Sequence, residues 1–187
     1  MAIVKWKLDP THSELGFKVR HLMISNVSGY INNFEVEGET REEDFSTAKL
    51  RLKADMNSIH TNNDQRDAHL RNSDFFETDK YPELVFQSTK IEKLDDENFI
   101  LSGNLTIKNT IRSVQLKVEY NGIAKDPWGG ERAGFTISGN INRSDWGINF
   151  GLLDSGTMLG NEVKIQSEIQ MVKQLVAEKK PEKELVS

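Results

Sequence analysis

Along most of the chain, apolar and polar residues take turns. In KLRLKADM (49–56), Leu50, Leu52, Ala54 and Met56 fall on one face and the charges on the other. FILSGNLTI (99–107) does the same with Leu101, Gly103, Leu105 and Ile107, and SVQLKVEY (113–120) with Val114, Leu116, Val118 and Tyr120. AGFTISGNI (133–141) and VKIQSEIQM (163–171) repeat the pattern. Strict alternation over such runs predicts half-buried antiparallel strands, because successive side chains of a strand point to opposite faces. With IVKWKLD (3–9), SELGFKVR (13–20), VSGYINNFEVEG (27–38) and ELVFQSTKIEKL (83–94), the pattern predicts about eight or nine strands.

Turn-forming clusters separate them: Asp9-Pro10, residues 95–98, Lys108-Asn109-Thr110 and the loop 126–130. Short connections favour a meander of sequence neighbours. A meander with one apolar face hides its edges by closing into a barrel. The expected fold is all-β, an eight-stranded antiparallel barrel of the size that holds either its own side chains or one small ligand. Ala54, Gly103, Ala133, Gly139 and Ser167 share the apolar face with large aliphatics. Either they leave volume inside, or they make room for Trp6, Phe17, Phe34 or Phe135. Two stretches break the alternation. RHLMISN (20–26) reads as a short helical turn, and a helix is expected over about 62–72, near a barrel end. Thr61 with Asp64 offers a variant capping box, and Asp67 with Arg71 an i,i+4 pair.

Composition narrows the class of protein. The chain has 187 residues and a formal net charge of -5, which argues against a general nucleic-acid binder. With 0 cysteines it has neither a disulfide framework nor a thiolate metal site. MAIVKWKLDP carries no apolar signal-like run, and no stretch reaches the ~18 apolar residues of a membrane helix. The expectation is a cytoplasmic protein without an integral membrane segment, with a barrel domain over 1–172 and a charged tail over 173–187.

Several residues invite a chemical reading. LLDSGT resembles the catalytic loop of an aspartic protease, with Asp154 as its carboxylate. That chemistry needs two carboxylates sharing a proton, and the motif occurs once. A loop between two strands accounts for Ser-Gly equally well. His60, Asp64, Asp67 and His69 lie close in sequence, but helical spacing brings only Asp64 and Asp67 together, so no metal site is expected. His12 beside Ser13 lacks the strand–elbow–helix setting of a nucleophile. There is no phosphate-cradling glycine loop, and no cofactor is expected.

Beyond periodicity, WKLDPTHSELGFKVRHLMISNVSGYINNFEVEG resembles the start of the YceI-like family, the polyisoprenoid-binding, lipocalin-like proteins. RDAHL, DFF and YPELVF resemble its middle signature, and GFTISGNINRSDWGINF a later one, so that the likeness runs in order over nearly all of 4–171. The resemblance implies an extended eight-stranded barrel whose lumen holds a long isoprenoid-like amphiphile, with no catalysis. On that reading the chain of the guest lies against Leu15, Phe17, Val19, Ile31, Phe34, Leu52, Leu105, Val118, Phe135 and Ile165, and its polar head near His21, Arg66 and His69. Two alternatives stay open. One is a non-catalytic stress or interaction protein whose barrel is filled by its own side chains. The other is a hydrolase using Asp154 or the set His60, Asp64, Asp67 and His69. A homodimer is also left open.

Overall fold

The computed structural model describes residues 2–152 and 158–175. Among them are eleven strands and one α-helix. The strands are β1 (Ile3–Leu8), β2 (Glu14–His21), β3 (Ser25–Ile31), β4 (Phe34–Arg41), β5 (Asp44–Asp55), β6 (Ile59–His60), β7 (Glu83–Lys93), β8 (Asn98–Ile107), β9 (Thr110–Lys125), β10 (Glu131–Asn142) and β11 (Leu159–Lys173). Helix α1 spans Asp64–Leu70. Three pairs of these strands are single long staves with a break. A 3-10 turn at Pro10–His12 divides β1 from β2, residues 32 and 33 divide β3 from β4, and a 3-10 turn at Met56–Ser58 divides β5 from β6. Counted by stave, the fold is a closed eight-stranded antiparallel meander. β11 completes the circuit by pairing with β2 along one stretch (Ile165↔Phe17) and with β1 beyond it (Trp6↔Lys173). No helix among the described residues is long and apolar enough to cross a membrane.

Bulges let the long strands bend. The register between β9 and β10 slips between Gly134 and Phe135, leaving Asn121 without a ladder partner beside a left-handed Gly122 (φ 107°). The inward phase therefore changes from Tyr120 to Ile123, both packed in the core. β7 makes a similar slip between Ser88 and Lys90.

The ladder circuit has two open seams at the end that carries α1. β6 pairs only with β3, so nothing bonds it to β7. β9 and β10 are paired from Lys125–Glu131 to Lys117–Ser138, and beyond that point no ladder joins them.

The helix differs in its details from the sequence expectation. Asn63 caps it, accepting from the Arg66 N–H at 2.9 Å. Thr61 instead donates from its N–H (2.8 Å) and its hydroxyl (2.5 Å) to the buried Asp67 carboxylate. Asp67 is therefore spent on the helix entry and is not paired with Arg71, which closes the helix at its C-cap. RHLMISN is no helical turn: β2 runs to His21, Leu22 and Met23 adopt left-handed backbone (φ 51° and 59°), and β3 starts at Ser25. Two positive-φ residues in a row form the hairpin turn that matches strand twist, here without the glycine or asparagine usual at such positions. Leu22, Met23 and Ile24 are all exposed.

At the opposite end, Asp9 sits against Arg132, which also bonds Asp126 at 3.2 Å. Burial works to raise the Asp9 pKa. The Thr11 hydroxyl (2.8 Å), the His12 ring (2.8 Å) and the Thr11 N–H (3.1 Å) outweigh it and hold the carboxyl at about 2. A carboxylate depressed below its unfolded value of ~3.9 adds stability that is complete above that pH and lost as pH falls through the folded pKa. Asp9→Asn is expected to cost about 1–2 kcal/mol at neutral pH. Urea midpoints of the two proteins should converge between about pH 4 and pH 2.

Candidate functional site

The inward faces of the staves enclose a lumen of about 270 Å³. Its wall is built from alternate residues of every long strand, among them Leu15, Phe17 and Val19 of β2, Leu50 and Leu52 of β5, and Val163, Ile165 and Ile169 of β11. Alternation produces this surface directly, because the pleat sends every second side chain inward. An apolar cavity of ~150 Å³ in another protein stays dry and takes up benzene. This one is larger and as greasy.

The small inward residues do not create the lumen as open notches. A Cβ on Gly103 would collide with the Phe86 ring and lie 2.6 Å from the Gln87 carbonyl oxygen. One on Gly139 would lie 2.6 Å from Leu116 Cδ2. Neighbouring large side chains already occupy these places, as the packing alternative anticipated. Gly103→Ala is expected to destabilise by about 1–3 kcal/mol, seen as a lower urea midpoint with an unchanged slope.

Both ends of the tube are stoppered. At the end where the chain starts, Trp6, Phe45, Tyr120 and Phe135 form an aromatic cluster with ring centroids 5.1–5.6 Å apart. The Trp6 indole N–H donates to Thr40 Oγ1 at 3.0 Å. At the helix end, Phe75 and Phe76 pack beside Ile148 and Trp146, whose indole N–H donates to the Leu105 carbonyl at 3.0 Å. Arg143 is the charged member of this stopper, only 6% exposed. Its guanidinium donates to the carbonyls of Gly160 (2.8 Å), Ile148 (3.0 Å) and Leu159 (2.9 Å), fastening the 3-10 turn Arg143–Trp146 to the start of β11. Burial draws its pKa below the usual guanidinium value.

Few polar groups face the lumen: Glu39, Thr40, Arg143 and Ser167. Thr40 is satisfied, accepting from Trp6 and donating to the Glu42 carbonyl. Ser167 is 3% exposed, and among the described residues its Oγ is the buried side-chain polar atom with no partner.

Of the ten residues assigned to the guest's chain, nine line the lumen: Leu15, Phe17, Val19, Ile31, Leu52, Leu105, Val118, Phe135 and Ile165. Phe34 is buried in the adjoining core with Trp6 and Met56. The three residues assigned to the polar head lie outside the lumen. His21 ends β2 and is exposed, Arg66 donates to Thr61 Oγ1 (2.7 Å) and its carbonyl (2.5 Å), and His69 lies 2.8 Å from Asp74. The four-residue enzymatic set is dispersed too. His60 lies 3.4 Å from Asp67, His69 belongs with Asp74 and the Phe75 and Phe150 rings, and Asp64 is exposed in the first turn of α1. Asp154 and the rest of 153–157 lie outside the described residues, as does the tail from 176; before it, β11 continues to Lys173. Sequence reasoning missed Arg143, and it placed Ser167 on the apolar face without giving it a polar role. Ser167 was visible as the lone polar residue on the apolar face of VKIQSEIQM.

Similarity to known proteins follows the same span. The sequence model of the YceI-like domain matches residues 6–171. The chain is 37% identical over 171 residues to a UPF0312 protein of Staphylococcus aureus, covering 90% of this chain and 97% of that relative. Among solved structures it is similar to the Campylobacter jejuni YCEI protein, at 32% identity and a TM-score of 0.73, with 90% and 97% of the two chains covered. A polyisoprenoid binding domain from Saccharophagus degradans, implicated in plant cell wall breakdown, shares the fold at a TM-score of 0.65 and 17% identity, with 89% and 97% covered.

Proposed function

This chain belongs to the YceI-like domain family, and on that premise we propose that its barrel binds a long isoprenoid-like amphiphile and sequesters or carries it, without catalysis. One observation carries the reading: an almost wholly apolar lumen of about 270 Å³ runs inside the barrel. Each methylene moved from water into such a lining contributes about 0.8 kcal/mol. Roughly ten would offset much of the cost of association. The isoprenoid character is supported by the polyisoprenoid-binding domain that shares the fold. The aromatic cluster at Trp6 and the filled glycine notches favour a second reading, a non-catalytic interaction protein whose barrel is occupied by its own side chains.

Native mass spectrometry with lipid extraction separates the two. Protein that arrives with an isoprenoid, or takes up added geranylgeraniol at one per chain, is the expected result. Empty barrels that also refuse added isoprenoids would sink the carrier reading and leave the self-filled one.

A further inference from the structure

We infer that the guest carries a neutral oxygen, and that Ser167 holds it deep in the lumen, away from both stoppered ends. The inference rests on the lipid-binding reading and refines it. Ser167 sits on the inward face of β11, between Ile137 of β10 and Leu15 of β2 in register, with Ile165 and Ile169 on either side along its own strand. Its hydroxyl is buried and makes no hydrogen bond within the protein. A buried polar group is expected to have a partner, and one without calls for a reason. Alanine would fill the same place without stranding a hydroxyl, so packing does not account for the serine.

Water is a poor substitute partner. A buried water needs two to four polar neighbours, and those flanking Ser167 are aliphatic. The other polar groups of the lumen are remote. Gly160, whose carbonyl Arg143 binds, lies seven positions back along β11, about 23 Å at strand rise. Thr40 lies opposite Val4 in β1, beyond the point where β11 reaches Lys173. A ligand oxygen is the partner that fits. The same surroundings set its charge: no basic side chain adjoins Ser167 in the register, so a phosphate or carboxylate there would be buried without a counter-ion. An isoprenoid alcohol, ketone or phenol suits the site, whereas a prenyl phosphate and a pure hydrocarbon do not.

The test compares wild type with Ser167→Ala by calorimetric titration of geranylgeraniol and its hydrocarbon analogue phytane. The variant should weaken geranylgeraniol about three- to tenfold, the range of one neutral hydrogen bond, and leave phytane within about twofold. Its ligand-free form should melt no lower than wild type, since no bond is lost. Bound farnesylacetone supplies a direct signature: its carbonyl stretch should sit at a hydrogen-bonded frequency in wild type and at the apolar-solvent frequency in the variant. Equal weakening of both titrated probes would mean that Ser167 acts through packing, and no change in either would mean that the oxygen lies elsewhere. Each result overturns the inference while sparing the lipid-binding reading. Failure of wild type to bind any of the three probes overturns both.

Discussion

Replacing Ile165 by tryptophan is expected to lower affinity for geranylgeraniol about a hundredfold or more while the barrel stays folded. Ile165 lines the lumen between Phe17 and Gly139 in register, and it is half-buried. An indole there takes volume that the guest would occupy. Losing about four methylene contacts at ~0.8 kcal/mol each amounts to ~3 kcal/mol, or roughly a hundredfold. The control is the adjacent residue: Lys164 points outward and is exposed, so Lys164→Trp should bind as wild type does. Titration of both variants, with circular dichroism to verify folding, decides the matter. Equal binding by Ile165→Trp and wild type would mean that guests do not enter the lumen.

The second large effect is on stability. Arg143→Leu should destabilise the protein by about 4 kcal/mol, because the carbonyls of Gly160, Ile148 and Leu159 lose a charged donor within the helix-end stopper. For a protein of this size the melting temperature should fall by about 8–16 °C. Arg143→Lys should recover only part of the loss, since a single ammonium cannot reproduce the planar fork that reaches three carbonyls. A fall of less than about 3 °C in Arg143→Leu would show that the stopper is held by Trp146 and Ile148 alone.

The staves were legible because half-buried strands must alternate. β1, β2, β7 and β8 begin and end within one residue of the runs read from the pattern. The reading stopped at Tyr120 although β9 continues to Lys125, because the bulge at Asn121–Gly122 shifts the phase and breaks the alternation where the strand merely turns over. VSGYINNFEVEG reads as one strand because both halves alternate and only two residues separate them, although the inward phase passes from Ile31 to Phe34 across the break at residues 32 and 33. The lining was legible wherever position along a strand decides it. Phe34 missed the lumen because facing inward near the break puts a side chain into the adjoining core. The polar residues of the helix region could not be ranked from sequence. Spacing says which side chains share a turn, but not that Asp67 folds back on Thr61 or that Arg66 follows it there.

The two unbonded seams bear on how much the container can hold. At the helix end the wall divides into two panels, one of β7, β8 and β9 and the other of β10, β11, β2, β3 and β6. No ladder joins them there, so spreading them sacrifices side-chain contacts, the Trp146–Leu105 hydrogen bond among them, but no ladder hydrogen bonds. The resting 270 Å³ is thus a starting capacity: on the lipid-binding reading, a longer guest is expected to dilate the tube from its helix end like a collet.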